Sequence, residues 1–196
     1  MSLPDYLIEA YQNIPDDHTI NVLMRHSERY PIESDADVFT AQLTPGGKEL
    51  AQYFGEWLSK KFVIGKISSS PINRCVETGV YLAKGSGNGK VIVPDPVLSH
   101  PYENREYDRM DEFMETGIWP DRIRKIAEQM FPMEENNKII NFFITHDTVL
   151  ALMAAYWLGL DIRAPRDWPN FLEPMFFWKL EGKKTISFRG NHFAIH

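Results

Sequence analysis

The strongest constraint on the fold is an alternation of apolar, strand-like runs with helix-like stretches that continues to about residue 160. Apolar and β-branched runs predict buried strands at residues 19–24, 66–69, 91–93 and 138–145, and helical spacing predicts helices between and after them. This alternation is typical of a mostly parallel sheet with helices on both faces. Runs 174–180 and 185–189 predict a terminal hairpin. The expected fold is therefore a single-domain, three-layer α/β/α sandwich with an antiparallel C-terminal edge.

Composition narrows the classes of function. A length of 196 residues suits one domain, 1–196, and the net charge of −6 argues against a nucleic-acid or anionic-membrane partner. No apolar run approaches the roughly 20 residues that span a bilayer. The single cysteine, Cys75, excludes an intramolecular disulfide and a cysteine-based zinc site. The N-terminus lacks the features of a signal peptide, so a cytoplasmic location is the default expectation; a periplasmic or secreted one stays open for a trimmed chain.

Charged and polar side chains follow three of the predicted strands at their carboxyl ends. They are Arg25, His26, Arg29, Arg74, His146 and Asp147. In open α/β sheets such strand ends share one edge, where ligands bind. Arginine forks suit phosphate oxygens, a helix N-terminus at Asp147 favours an anion, and histidine can act as a nucleophile. The pattern predicts a phosphate site with a small phosphorylated substrate.

These segments resemble the motifs of the histidine phosphatase superfamily. Arg25, His26, Arg29 and Pro31 match its Arg-His-Gly-x-Arg-x-Pro signature, with Ser27 where the family usually has glycine. Residues 43–47 and 69–78 look like its Leu-Thr-x-x-Gly segment and the segment that carries a further phosphate-binding arginine. Residues 145–147 resemble the His-Asp pair of the acid phosphatase branch, and all four matches occur in family order.

The resemblance implies a metal-independent acid phosphatase, without a cofactor, that hydrolyses phosphomonoesters through a phosphohistidine. His26 would be the nucleophile, and Asp147 would protonate the leaving alcohol and then activate water. The phosphate oxygens would be held by Arg25, Arg29, Arg74 and His146. Nearby arginines should keep His26 uncharged. Because Asp147 must be protonated in the first step, we expect an acidic pH optimum.

Other roles stay open. The phosphohistidine could pass its phosphoryl group to an acceptor, as in a phosphotransferase or mutase, or the site could bind phosphate without catalysis. The mutase-like branch uses a glutamate after the third strand as its acid, which makes Glu103 and Glu106 rivals of Asp147. His146 could support the loop. Exposed ion pairs are the simpler roles of the arginines: Arg29 with Glu28 or Glu33, and Arg74 with Glu77.

The stretch from about 95 to 120 is expected to form a short, lid-like insertion. Residues 95–115 carry seven acidic and two basic side chains, which should repel a polyphosphorylated substrate. The aromatic side chains here could stack on an aromatic or apolar leaving group; they are Tyr102, Tyr107, Phe113 and Trp119. The expected substrate is a modest-sized phosphomonoester with few extra charges. The alternative is that this stretch is only a solvated face.

Overall fold

The computed structural model describes residues 2–87, 89–99, 106–133 and 138–195, which contain one seven-stranded sheet. The strands are β1 (Ile20–Arg25), β2 (Val63–Ser69), β3 (Ile92–Pro94), β4 (Ile139–Thr145), β5 (Pro174–Leu180), β6 (Lys183–Phe188) and β7 (Asn191–Ile195). Their order is β3-β2-β4-β1-β5-β6-β7. Strands β1 to β4 are parallel to one another, and β5, β6 and β7 follow as antiparallel strands. The predicted α/β fold with an antiparallel C-terminal edge is confirmed; β7 extends the expected hairpin by one strand.

The described residues form seven α-helices, and the helical spacing of the sequence does not predict two of them, at residues 37–40 and 110–116. The seven helices are α1 (Asp5–Gln12), α2 (Asp37–Thr40), α3 (Pro45–Ser59), α4 (Asn73–Gly85), α5 (Met110–Thr116), α6 (Asp121–Met130) and α7 (Asp147–Leu158). Helix α3 starts because the Thr44 hydroxyl accepts a hydrogen bond from the Gly47 amide over 2.9 Å. Helix α7 ends at Gly159, whose φ of 63° is left-handed. None of the helices in these ranges is long and apolar enough to cross a membrane.

Two hydrophobic cores lie on opposite faces of the sheet. One contains buried side chains of α1, α3 and α4, and the other contains those of α5, α6 and α7. Successive residues of β1 contribute to different cores: Val22 and Met24 belong to the first, and Leu23 to the second. The sheet is therefore covered on both sides, as the strand and helix alternation predicted.

The described part of the 95–120 stretch is more helical and more buried than expected, since it contains α5 and two short 3₁₀ turns. Phe113 is 3% exposed. Trp119 contacts Phe113 and Tyr156, with ring centroids 5.6 and 5.3 Å apart. The expectation that Phe113 reaches a leaving group is wrong, because burial against the apolar helix α7 holds its ring in the core. Trp119 is half-buried, and its contact to a leaving group stays a prediction. Tyr102 lies outside the described residues, and the lid itself stays a prediction.

Candidate active site

The carboxyl ends of β1, β4 and β2 lie side by side, because these strands are neighbours in the sheet. Arg25 at the end of β1 pairs with Thr145 at the end of β4, and Ser69 at the end of β2 pairs with Ile144. The His26 amide continues the ladder by donating to the Thr145 carbonyl over 2.9 Å. The fold thus brings together the segments that carry the predicted site residues.

His26 is 1% exposed and has a defined tautomer. Its Nδ1 lies 2.7 Å from the Ser27 carbonyl oxygen, an acceptor, so Nδ1 carries the proton and donates. The other ring nitrogen, Nε2, accepts a hydrogen bond from Arg74 Nε over 3.1 Å. Burial, followed by the charges of Arg25 and Arg74, holds the pKa of His26 well below its usual range. The imidazole is therefore neutral, with its lone pair on Nε2.

Arg74 enters the site from the first turn of α4 and is 1% exposed. Besides His26, its guanidinium donates to the Val38 carbonyl over 2.6 Å. The simpler role as an exposed partner of Glu77 is wrong, because Glu77 pairs with Lys48 over 2.9 Å. Three different donors of one planar group are thereby fixed in the site, counting the contact to His146 described next.

His146 is fully buried and has a protein partner at each ring nitrogen. Its Nδ1 lies 3.1 Å from Arg74 Nη2, and its Nε2 lies 2.9 Å from the Ser70 hydroxyl. Since Arg74 can only donate, Nδ1 is the acceptor and Nε2 carries the proton. The His146 ring is 5.6 Å from that of His26 between centroids. In this geometry His146 orients Arg74, and its contact to a phosphate oxygen stays a prediction.

Asp147 opens helix α7, and its carboxylate receives several donors. Arg25 Nη2 lies 2.7 Å from Oδ2, the Thr148 amide donates to Oδ1 over 2.9 Å, and Trp168 Nε1 lies 3.3 Å from Oδ2. The Asp147 side chain keeps 13% of its surface exposed. An ion pair and a helix N-terminus both stabilise the ionised carboxylate here.

Two buried guanidinium nitrogens in the site, Arg25 Nε and Arg29 Nε, have no hydrogen-bond partner within the described part of the chain. The Arg29 head donates from Nη1 to the Tyr30 carbonyl over 2.9 Å. Burial is the main cause of a lowered pKa at both Arg25 and Arg74, and the charge of Arg29 lowers it further. Buried donors normally have partners, so these nitrogens fit an anion with several oxygens.

The simpler role of Arg29, an ion pair with Glu28 or Glu33, is not formed among the residues that the structure describes. The Glu28 carboxylate instead accepts a hydrogen bond from the Thr44 hydroxyl over 2.8 Å. Arg29 is therefore left to face the other charged groups of the site.

The departure from the family motif at Ser27 is accommodated by two hydrogen bonds. The Ser27 hydroxyl donates to the Gly47 carbonyl over 2.7 Å, and its amide donates to the Thr78 hydroxyl over 3.0 Å. Gly47 itself admits no side chain, because a Cβ there would lie 2.1 Å from the Glu28 carbonyl oxygen. The glycine of the 43–47 segment thus lets α3 approach the loop that follows β1.

Glu103 and Glu106 are the alternatives to Asp147 as the general acid. Glu103 lies outside the described residues. Glu106 is buried and forms an ion pair with Arg122, which also donates to the Val97 and Ser99 carbonyls over 2.9 Å each. Glu106 therefore has a structural role in the described part of the 95–120 stretch, through its ion pair with Arg122.

Cys75 is a buried thiol beside the site, with Sγ 3.6 Å from His146 Nε2. Burial raises its pKa to about 12, so it is a protonated, small core residue. No group of three or more His, Cys, Asp or Glu side chains is arranged to hold a metal ion in the described ranges.

The segment 168–173 is part of the site and was not found from the sequence. The Pro169 carbonyl accepts from Arg25, and the Phe171 ring lies 4.2 Å from the Arg25 guanidinium. The Arg25 amide donates to the Glu173 carbonyl over 3.2 Å. Its placement follows from β5, which pairs antiparallel with β1 and so begins where β1 ends. No motif signals this, because the contacts join residues more than 140 positions apart.

Comparison with family models and with curated proteins gives no match. Among solved structures, the chain is similar to a phosphoserine phosphatase mutant from Entamoeba histolytica in complex with phosphoserine, with 15% identity, a TM-score of 0.55 and coverage of 86% of this chain and 95% of that chain. It is also similar to phosphoglycerate mutases from Plasmodium falciparum (18% identity, TM-score 0.53, coverage 90% and 97%) and Bacillus anthracis (13%, 0.54, 92% and 93%). At these identities the likeness shows a shared fold.

Proposed function

We propose that this chain, whose fold is that of the histidine phosphatase superfamily, is a phosphomonoester hydrolase that acts through a phosphohistidine on His26. Asp147 is the general acid and base of the reaction, and Arg25, Arg29 and Arg74 bind the phosphoryl oxygens. The observation that carries the proposal is the neutral His26, with its lone pair on Nε2, among three guanidinium groups. Two of these groups hold buried donors that have no hydrogen-bond partner in the described ranges.

In the first step, His26 Nε2 attacks phosphorus while the bond from phosphorus to the leaving oxygen breaks. Arg74 Nε exchanges its hydrogen bond with Nε2 for one to a phosphoryl oxygen, which frees the lone pair. The leaving oxygen takes a proton from Asp147 and departs as an alcohol. The three arginines stabilise charge as it redistributes over the non-bridging oxygens.

In the second step, water attacks the phosphohistidine and transfers a proton to the Asp147 carboxylate. The bond between nitrogen and phosphorus breaks, inorganic phosphate is released and His26 is neutral again. The ion pair with Arg25 favours the carboxylate that this step needs and opposes the acid that the first step needs. Turnover of substrates with poor leaving groups should therefore fall as the pH rises.

The test is release of inorganic phosphate from p-nitrophenyl phosphate between about pH 4 and pH 8, with EDTA present. Wild type, His26→Ala and His192→Ala are compared, since His192 is an exposed histidine on β7. We expect activity in wild type and His192→Ala and none in His26→Ala. An acid-labile, alkali-stable phosphoenzyme should form only where His26 is present. Equal activity in His26→Ala would contradict the proposal.

Phosphotransfer is the second candidate, because the structures that share this fold include phosphatases and mutases. It predicts that turnover requires a bisphosphate primer and that the phosphoryl group appears on a sugar or glycerate acceptor. Phosphate release to water without a primer would favour the hydrolase. Binding of phosphate without turnover in either assay would favour a non-catalytic phosphate-binding protein.

A further inference from the structure

An aromatic pair lies beside the Asp147 carboxylate. Trp168 Nε1 is 3.3 Å from Asp147 Oδ2, and the Tyr107 ring packs edge-on against the Trp168 ring with centroids 5.5 Å apart. Both residues are half-buried, so each keeps part of its surface open to solvent. Partly exposed aromatic rings next to a reactive carboxylate offer apolar contact area to a bound molecule.

The pair is assembled from two segments that are fastened to each other. Tyr107 precedes α5, and Trp168 belongs to the segment before β5. Arg163 of the second segment donates to Asp111 of the first over 3.0 Å and also pairs with Asp161 over 2.8 Å. The ion pair between Arg163 and Asp111 thus connects the two segments that carry the rings, on the side of the site where Asp147 lies.

Three of the seven acidic side chains at residues 95–115 form ion pairs with arginines. Glu106 pairs with Arg122, and Glu112 pairs with Arg109. Together with the ion pair of Asp111 and Arg163, these contacts weaken the repulsion that the sequence predicted for a charged substrate. Selection by aromatic contact is the better supported source of substrate preference.

We propose that Tyr107 and Trp168 form a leaving-group subsite that selects phosphomonoesters of aromatic or large apolar alcohols. The inference rests on the proposed function. If Asp147 protonates the leaving oxygen, that oxygen lies within hydrogen-bond distance of the carboxylate. The group attached to it then lies beside the indole that bonds the same carboxylate. Trp168 has a second effect through its N–H, which orients the Asp147 carboxylate whatever the leaving group is.

The experiment compares kcat/KM for benzyl phosphate and ethyl phosphate, which both release primary alcohols and make similar demands on Asp147. We expect wild type to prefer benzyl phosphate by about tenfold or more, the range that apolar contacts provide in specificity pockets. Tyr107→Ala and Trp168→Ala should bring this ratio close to one. Trp168→Phe keeps a ring and loses the N–H, so kcat should fall for both substrates with much of the ratio retained.

The matched control is Tyr53→Ala, because Tyr53 lies on α3 and packs against the core on the other face of the sheet. It should keep the wild-type ratio. Inhibition by inorganic phosphate should be unchanged in every variant, which shows that the phosphate site is intact. This inference would be overturned by a ratio near one in wild type, or by the wild-type ratio persisting in both alanine variants. Neither outcome would contradict the proposed hydrolase activity. If no phosphomonoester is hydrolysed at all, the proposed function fails and this inference with it.

Discussion

At the scale of single residues, neighbouring donors and acceptors determine which ring nitrogen of each imidazole in the site carries the proton. His26 has its proton on Nδ1 because the Ser27 carbonyl accepts it, and His146 has its proton on Nε2 because Arg74 occupies Nδ1. Arg74 bonds both rings and the Val38 carbonyl at once. The geometry of one guanidinium therefore sets the arrangement of the two histidines.

Arg74→Lys tests this geometry while keeping the charge. An ammonium group cannot span Val38, His26 and His146 as the planar fork does. We expect kcat/KM for p-nitrophenyl phosphate to fall by about 10² or more, the loss typical of removing a transition-state donor. Arg109→Lys is the control, since Arg109 is exposed and forms its ion pair with Glu112 on the surface, outside the site. Comparable losses in the two variants would contradict the role of Arg74.

Asp147→Asn should separate the two half-reactions. The asparagine cannot protonate an alkoxide or accept a proton from water, but p-nitrophenolate leaves without a proton. We expect steady-state turnover to fall by about 10² to 10⁴, the usual contribution of a general acid–base group. A burst of p-nitrophenolate equal to the enzyme concentration should persist, as measured by rapid quench. With ethyl phosphate no burst of ethanol is expected. An undiminished steady-state rate would move the acid role to another residue.

At the scale of elements, helices α3 and α4 pack closely enough to exclude a side chain at Gly55. A Cβ there would lie 2.1 Å from the Leu82 carbonyl oxygen of α4. Helix α4 also carries Arg74, so this contact lies between α3 and the helix that supplies the arginine.

Gly55→Ala should therefore destabilise the protein by about 1–3 kcal/mol, the usual effect of overpacking, despite the higher helix propensity of alanine. The measurement is the free energy of unfolding in urea. Gly46→Ala on the same helix is the control, because its Cβ would lie 3.3 Å from a flexible Glu28 side-chain oxygen and 3.8 Å from the Thr44 hydroxyl, an ordinary contact distance. We expect Gly46→Ala to be neutral or stabilising. Equal effects of the two substitutions would rule out the close contact.

Elements with strong local patterns were predictable from the sequence, and elements set by distant contacts were not. The apolar run before residue 145 and the helix that ends at Gly159 have strand and helix signatures of their own. Strand β7 alternates weakly and needs β6 as a partner, and α5 lies within an acidic stretch. Trp168 has a functional contact only because β5 returns beside β1. Sequence periodicity carries no information on such long-range placement.

At the scale of the whole molecule, the sheet order places the site at one end of the sandwich, where the parallel strands have their carboxyl ends. Three parallel strand ends supply His26, Arg74 and Asp147 through the segments that follow them, and these positions were predictable from the rule for parallel sheets. The antiparallel β5 closes the other side with the 168–173 segment, which the rule does not cover. The site is therefore enclosed by the segments that follow the parallel strands and by the segment that precedes the antiparallel strand β5.

Burial of this site makes the stability of the whole molecule depend on pH. The pKa of His26 in the folded state is well below its usual value. As the pH falls, the unfolded chain therefore binds a proton at this residue at a higher pH than the folded protein does. Stability from this group is complete above the ordinary histidine pKa of about 6.5, and below it the free energy of unfolding decreases by up to about 1.4 kcal/mol per pH unit.

His26→Asn removes the titrating group, so the Tm of this variant should decrease less than that of wild type between about pH 7 and pH 5. His192→Asn, an exposed control, should follow wild type. Parallel Tm curves for wild type and His26→Asn would show that His26 titrates normally and would remove the basis for its neutral, nucleophilic state.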